Sequence, residues 1–376
     1  MFDITARYHD RIAAAKDRLA SAWRGENHDR PGFILGDVNY ALCGQYDPPD
    51  DYYDPAPMFA YQAAKIEQHM ATIADDYVPV LFPWYGTAVI PSSLGVPVRF
   101  SQGVDPEAAG VIITEPSDIA KLELPDPDKD GLMPKVLATI DYFRANSDAA
   151  ISTTDTQGPL NIALTLTGVE TLFVWMYECP DAVHELMDFC TTALIEWLKV
   201  QKLHAGNSMD GDAYPHAIYL PAGYGGVVFS DDDMTAISPE HYAEFVLPYN
   251  ERLLAAFGGG TVHFCGSARH QIDNVVTMKH CTGVNNFLMG DYWQAQQLRQ
   301  GMLHKGAIMA CDYNAADIAT HCAEIREALA DPAGMVASVL IAPTMALVGN
   351  KYITSDRTTE AITAEYTTRL SAWLTG

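Results

Sequence analysis

Positive charge is what this 376-residue sequence has least of. Lysine and arginine together number 23 against 48 aspartates and glutamates, a formal net charge of −25. Nucleic acids and anionic membrane surfaces are recognised through a basic face, so neither is an expected partner. Cysteine is sparse as well. There are seven, an odd number, and no two are spaced as Cys-x-x-Cys. That is a poor disulfide framework and fits a reducing compartment. No apolar run reaches the ~18 residues of a membrane span. The opening stretch MFDITARYHDRIAAAKDRLA is interrupted by charges throughout, unlike a secretory signal. Its Ile4, Tyr8 and Ile12 recur at helical spacing and predict an amphipathic N-terminal helix. These absences lead to the expectation of a cytoplasmic protein.

What the sequence does have is alternation. The short apolar or β-branched runs are GFILGD, YVPVLF, AAISTT, NSMDGD, GTVHFC, GVNNFL, GAIMAC and ASVLIA. Helical patterns separate most of them. Strand-then-helix repeated about eight times predicts a (β/α)8 barrel of the TIM type. It would form a single domain over residues 1–376, with residues 1–30 as a helical extension. A doubly wound sheet is the alternative, but its usual glycine-rich phosphate fingerprint is missing. Two helices are strongly marked. CPDAVHELMDFCTTALIEWLKVQK carries Pro180 at its first turn, and SPEHYAEFVLPYNERLLAAF carries Ser238 as N-cap and Pro248 as a kink.

The stretch GTVHFCG holds the most pointed chemistry. Side chains on a strand alternate faces, so Thr261, His263 and Cys265 share one face and Val262 and Phe264 the other. With the apolar pair against the outer helices, His263 and Cys265 face the barrel interior near the C-terminal strand ends, where barrel enzymes place their chemistry. Together they are half of a zinc site, or simply two hydrogen-bonded core residues. Cys311, ending the run GAIMAC, is the candidate third metal ligand across the mouth, and it can equally be an ordinary strand residue.

Four stretches resemble one family: TDTQGPLNIALTLTGVETLFVWMYECPDAVHELM, FSDDDMTAISPEHYAEFVLPYNERLL, VHFCGSARHQIDNV and HKGAIMACDYNAADI. The resemblance is to the uroporphyrinogen decarboxylase superfamily and, within it, to the corrinoid-linked zinc methyltransferases. It spans roughly Arg30 to Tyr352. It implies the same (β/α)8 barrel, a zinc ion on His263 and Cys265, and a methyl group exchanged between a corrinoid on a small partner protein and a thiol, pterin or small methylated substrate. The family's distant cysteine is absent, since Thr344 and Met345 stand where it would be. Porphyrinogen decarboxylation would need an arginine-rich N-terminal segment, but RPGFILGDVNYALCGQYDPPDDYYDPAP offers only Arg30 among acids. Asp155 and Asp212 are the candidate catalytic carboxylates. Gln157, Tyr85 and Tyr214 are candidate substrate contacts, and loop capping and lid packing are the plainer roles for all five. The expected partners are a small corrinoid protein, a small-molecule substrate and, as an option, a second copy in a homodimer. Two other functions stay open: a metal-free lyase of a small carboxylic acid, and a non-catalytic carrier of corrinoid or metal.

Overall fold

The computed structural model describes residues 1–36, 52–101, 104–214, 218–342, 345–348, 351–354 and 356–374. Eight parallel strands follow one another round a wall: β1 (Gly32–Gly36), β2 (Val80–Leu81), β3 (Ala150–Ile151), β4 (Val227–Ser230), β5 (Gly260–Cys265), β6 (Cys281–Phe287), β7 (Ala307–Tyr313) and β8 (Met335–Leu340). Six of them form one sheet in the order β1-β8-β7-β6-β5-β4, and β2 pairs separately with β3. Helices connect the strands and cover the outer face, so this is the (β/α)8 architecture the alternation predicts. The expected N-terminal helix is present but breaks at Tyr8 into Ile4–Arg7 and His9–Trp23, with Ile4, Ile12, Leu19 and Trp23 buried. No single helix among the described residues is long and apolar enough to cross a membrane.

The fourth strand is not where the sequence suggests. NSMDGD leads instead into an antiparallel pair, Asp212–Tyr214 with Ile218–Leu220, and the barrel strand is VVFS at 227–230. The reason is a close backbone approach. Gly225 has φ +90°, and a Cβ there would lie 1.9 Å from the carbonyl carbon of Gly259. Only glycine lets the turn before β4 sit against the start of β5. The kink at Pro248 is present as a break between the helices Pro239–Phe245 and Leu247–Ala256. Ser238 caps the first of these, accepting from His241 N at 3.2 Å.

Two joints of the wall have no continuous ladder. Between β3 and β4 the chain makes one bridge, Gln157 with Ser230, carried by Ser230 N to Thr156 O (2.8 Å) and Gly158 N to Ser230 O (2.7 Å). Between β1 and β2 two aspartates do the work. Phe33 N donates to Asp76 Oδ2 at 2.9 Å and Leu35 N to Asp75 Oδ2 at 2.8 Å, while Asp76 N returns a bond to Phe33 O at 3.0 Å. Both carboxylates are fully buried, so each needs a cation. Asp76 takes a two-pronged bond from Arg30 (2.5 and 2.9 Å), and Asp75 meets Arg11 at 3.1 Å and His69 at 3.0 Å. Arg30 is therefore a structural residue.

Removing one partner of a buried pair leaves the other charged and unpaired. Asp76→Ala is expected to destabilise the fold by about 3–5 kcal/mol. Chemical denaturation of wild type and variant measures it, and an unchanged midpoint would show that the joint does not depend on this carboxylate.

Candidate functional site

The strand register decides what faces the interior. His263 on β5 is level with Asn285 on β6 and Met309 on β7, and Cys265 is level with Phe287 and Cys311. Asn285 bonds His263 and Cys311, whereas its neighbour Asn286 bonds Gln294 on the outer helix Tyr292–Met302 at 2.7 Å. Odd positions thus face inward and even positions face the helices. Val262 and Phe264 lie on the helix side and are buried.

Asp232 completes a cluster with the pair. It begins the short turn Asp232–Ala236 that follows β4. Its Oδ1 accepts the backbone N–H of Cys265 at 2.7 Å and lies 3.9 Å from His263 Nε2. His263 Nε2 is 3.6 Å from Cys265 Sγ. One ligand atom from each of the three lies within 4.8 Å of the other two. One nitrogen, one thiol sulfur and one carboxylate oxygen, converging at the mouth, are a donor set that zinc accepts, with room for a fourth ligand. The protein packed around Cys265 Sγ, and next the Asp232 carboxylate, push that thiol above its ordinary range. A metal bound there would have to displace its proton.

The preceding residue holds this turn in place. Asp231 points to the helix side, where its Oδ2 accepts from Tyr242 Oη (2.6 Å) and Asn250 Nδ2 (2.7 Å), and its N–H donates to His263 O at 2.7 Å. Burial pushes the Asp231 carboxyl up to about 7, against the pull of those two bonds.

The remaining candidates divide. Asp155, half-buried after β3, accepts from Gln157 Nε2 at 2.6 Å and bonds the Tyr214 hydroxyl. Burial pushes its carboxyl up to about 7, with Asp232 and Asp105 adding like charge. Asp155, with Gln157 and Tyr214 bonded to it, therefore feels the charge of Asp232. Gln157 is further tied to Asn161 Nδ2 at 2.8 Å. Asp105, on the hairpin beside Trp84, accepts from Trp84 Nε1 (2.6 Å) and Tyr53 Oη (2.8 Å). Among the described residues no lysine or arginine pairs with Asp105, Asp155 or Asp232.

Tyr85 is a correction. It is fully buried, and its hydroxyl is used by Thr139 Oγ1 at 2.7 Å and the Tyr53 carbonyl at 3.2 Å, so it packs the core rather than contacting a substrate. Cys311 is fully buried beside Asn285 Nδ2 (3.0 Å) and is not in the three-residue cluster. Burial pushes its thiol up to about 12. Asp212 lies on the antiparallel pair rather than at a barrel strand end; its side chain, like Thr344, lies outside the described residues.

With this geometry, likeness to known proteins is informative. Residues 14–209, just over half of the chain, match the family described as Uroporphyrinogen decarboxylase (URO-D). The chain belongs to the uroporphyrinogen decarboxylase family. It is 28% identical over 186 residues to a uroporphyrinogen decarboxylase of Syntrophotalea carbinolica, a match covering 45% of this chain and 48% of that one. The chain thus spans about half the length of that curated relative. Among solved structures, this uroporphyrinogen decarboxylase family member superposes on a methyltransferase from Methanosarcina mazei with a TM-score of 0.67. That likeness covers 95% of this chain and 98% of the other at 16% identity, and it is a likeness of fold.

The sequence alone does not mark Asp232, because NSMDGD reads as the fourth strand and leaves FSDDD in a connection. With VVFS as that strand, the acids of FSDDD stand at a C-terminal strand end, the position that carries chemistry in a barrel. The coupling of Asp155 to Asp232 has a testable sign. Burial does most to hold the Asp155 carboxyl up and the Asp232 charge adds to it, so Asp232→Asn is expected to lower its titration midpoint from about 7 in the metal-free protein without restoring the ordinary value. Carboxyl 13C NMR measures it. A midpoint that stays in place would show that the two groups are not coupled.

Proposed function

We propose that this family member is a zinc-dependent methyltransferase working with a corrinoid protein, and that Asp232, His263 and Cys265 hold the zinc. The observation that carries the reading is the convergence of their three donor atoms at the C-terminal mouth. Bound there, zinc would keep a thiol substrate as its thiolate, the nucleophilic form, at neutral pH. The methyl group would come from a corrinoid on a small partner protein presented at the mouth, or pass the other way from a small methylated substrate. The fold likeness to a methyltransferase supports the reaction class.

The protein's own residues would do the rest. Asp231 fixes the turn that brings Asp232 to the pair. Asp155, with a carboxyl near 7, can hold or release a proton close to the reacting thiol at neutral pH. Tyr214 and Gln157 orient that carboxyl.

A porphyrinogen substrate fits this mouth poorly. It carries several carboxylates, and the described groups there are Asp105, Asp155 and Asp232. Arg30, the one basic residue of its segment, is locked to Asp76.

Purified protein is expected to contain one zinc per chain and to demethylate methylcobalamin in the presence of a small thiol. His263→Ala, Cys265→Ala and Asp232→Ala should each lose zinc and at least ~10²-fold in rate, while Cys311→Ser keeps both. Elemental analysis and the cobalamin absorbance change are the measurements. Full zinc in all three alanine variants would locate the metal elsewhere, and zinc without methyl transfer would leave the site but remove the reaction.

A further inference from the structure

We propose that Asn285 locks His263 in the tautomer that carries its proton on Nδ1, so that Nε2 presents a lone pair to Asp232 and Cys265. The proposal deepens the metal reading and rests on it for its purpose, though not for its test. Asn285 is fully buried on the inner face of β6, beside His263 on one flank and Met309 on the other. Both ends of its amide are engaged. Nδ2 donates to Cys311 Sγ at 3.0 Å and leans on the Met309 carbonyl oxygen at 3.4 Å. That carbonyl can only accept, so the amide NH2 belongs at this end.

The other end is then fixed. Oδ1 lies 2.5 Å from His263 Nδ1 and can only accept. A neutral imidazole has one N–H, so the donor must be Nδ1–H, and Nε2 carries no proton. Nε2 is also the nitrogen 3.6 Å from Cys265 Sγ and 3.9 Å from Asp232 Oδ1. Flipping the amide would set its NH2 against the imidazole and its oxygen against the Met309 carbonyl. Cys311 therefore has a part in the site without being a ligand: together with Met309 O it holds the amide that holds the histidine. A plain core asparagine would satisfy its own hydrogen bonds without mattering to the tautomer, and this is what separates the two roles.

The test uses the full chain. Imidazole 15N NMR of the metal-free protein reads the tautomer, and competition with a chromophoric chelator reads zinc affinity. Wild type is expected to show His263 protonated on Nδ1. Asn285→Leu removes the acceptor, and should mix the tautomers and weaken zinc binding ~10–100-fold, the usual loss when a ligand histidine loses its partner. Asn285→Asp gives up the two bonds of the NH2 group but keeps an oxygen that accepts Nδ1–H, and should keep that tautomer. His263 protonated on Nε2 in metal-free wild type would overturn the proposal. So would undiminished affinity and a single tautomer in Asn285→Leu. Should that variant not fold, the wild-type spectrum and Asn285→Asp decide alone. Wild type that binds no zinc would defeat the metal reading instead, and the tautomer, measured without metal, would still judge Asn285.

Discussion

The hydrogen bond from the Cys265 backbone N–H to the Asp232 carboxylate is the contact on which the site depends. It joins the turn after β4 to the end of β5, so residues more than thirty apart in sequence share one pocket. Without it, His263 and Cys265 are two donors on a strand. With it, a third donor stands beside them. Several features serve this contact. Gly225 lets β4 start hard against the β5 side of the wall. Asp231 anchors the turn from behind through Tyr242 and Asn250. The β5–β6–β7 register sets Asn285 level with the histidine.

Burying carboxylates is costly unless they are paired or hydrogen-bonded, and this chain treats its acids in two ways. Asp75 and Asp76 meet Arg11, His69 and Arg30, and the same carboxylates accept backbone N–H groups of β1 in place of a strand ladder. Those acids are mortar for the barrel. Asp155, Asp231 and Asp232 have no cation of their own in the described structure, and hydroxyl, amide and backbone donors hold them instead. The first two are pushed up toward neutrality by burial. A mouth lined by Asp232 and Asp155, with no lysine or arginine paired to either among the described residues, is better suited to a cation than to a polyanion.

Much of the barrel was legible in the sequence, because seven of the eight strands are short apolar runs followed by helical patterns. The fourth is the exception: NSMDGD and VVFS are both short runs near a glycine-rich turn, and the backbone approach at Gly225 is not visible in the sequence. His263 and Cys265 could be picked out because strand alternation and a barrel's polarity suffice to orient them. Asp232 could not, since its value comes from a cross-strand contact that depends on the correct fourth strand. The Cys311 expectation rested on sound strand alternation. Its residue does face inward, but Asn285 lies between it and the histidine, and an intervening side chain cannot be inferred from spacing. Tyr85 reads as a loop aromatic in sequence, yet its ring is fully buried and its hydroxyl meets Thr139.

X-ray absorption at the zinc edge of the substrate-free, zinc-loaded protein tests the central claim most directly, because it counts sulfur against nitrogen and oxygen. Ligation by Asp232, His263 and Cys265 predicts a single protein sulfur at about 2.3 Å, with the remaining shell of nitrogen and oxygen at about 2.0–2.2 Å. Two or more sulfurs on the zinc would contradict the account, since they would require a second cysteine where the structure provides Asp232.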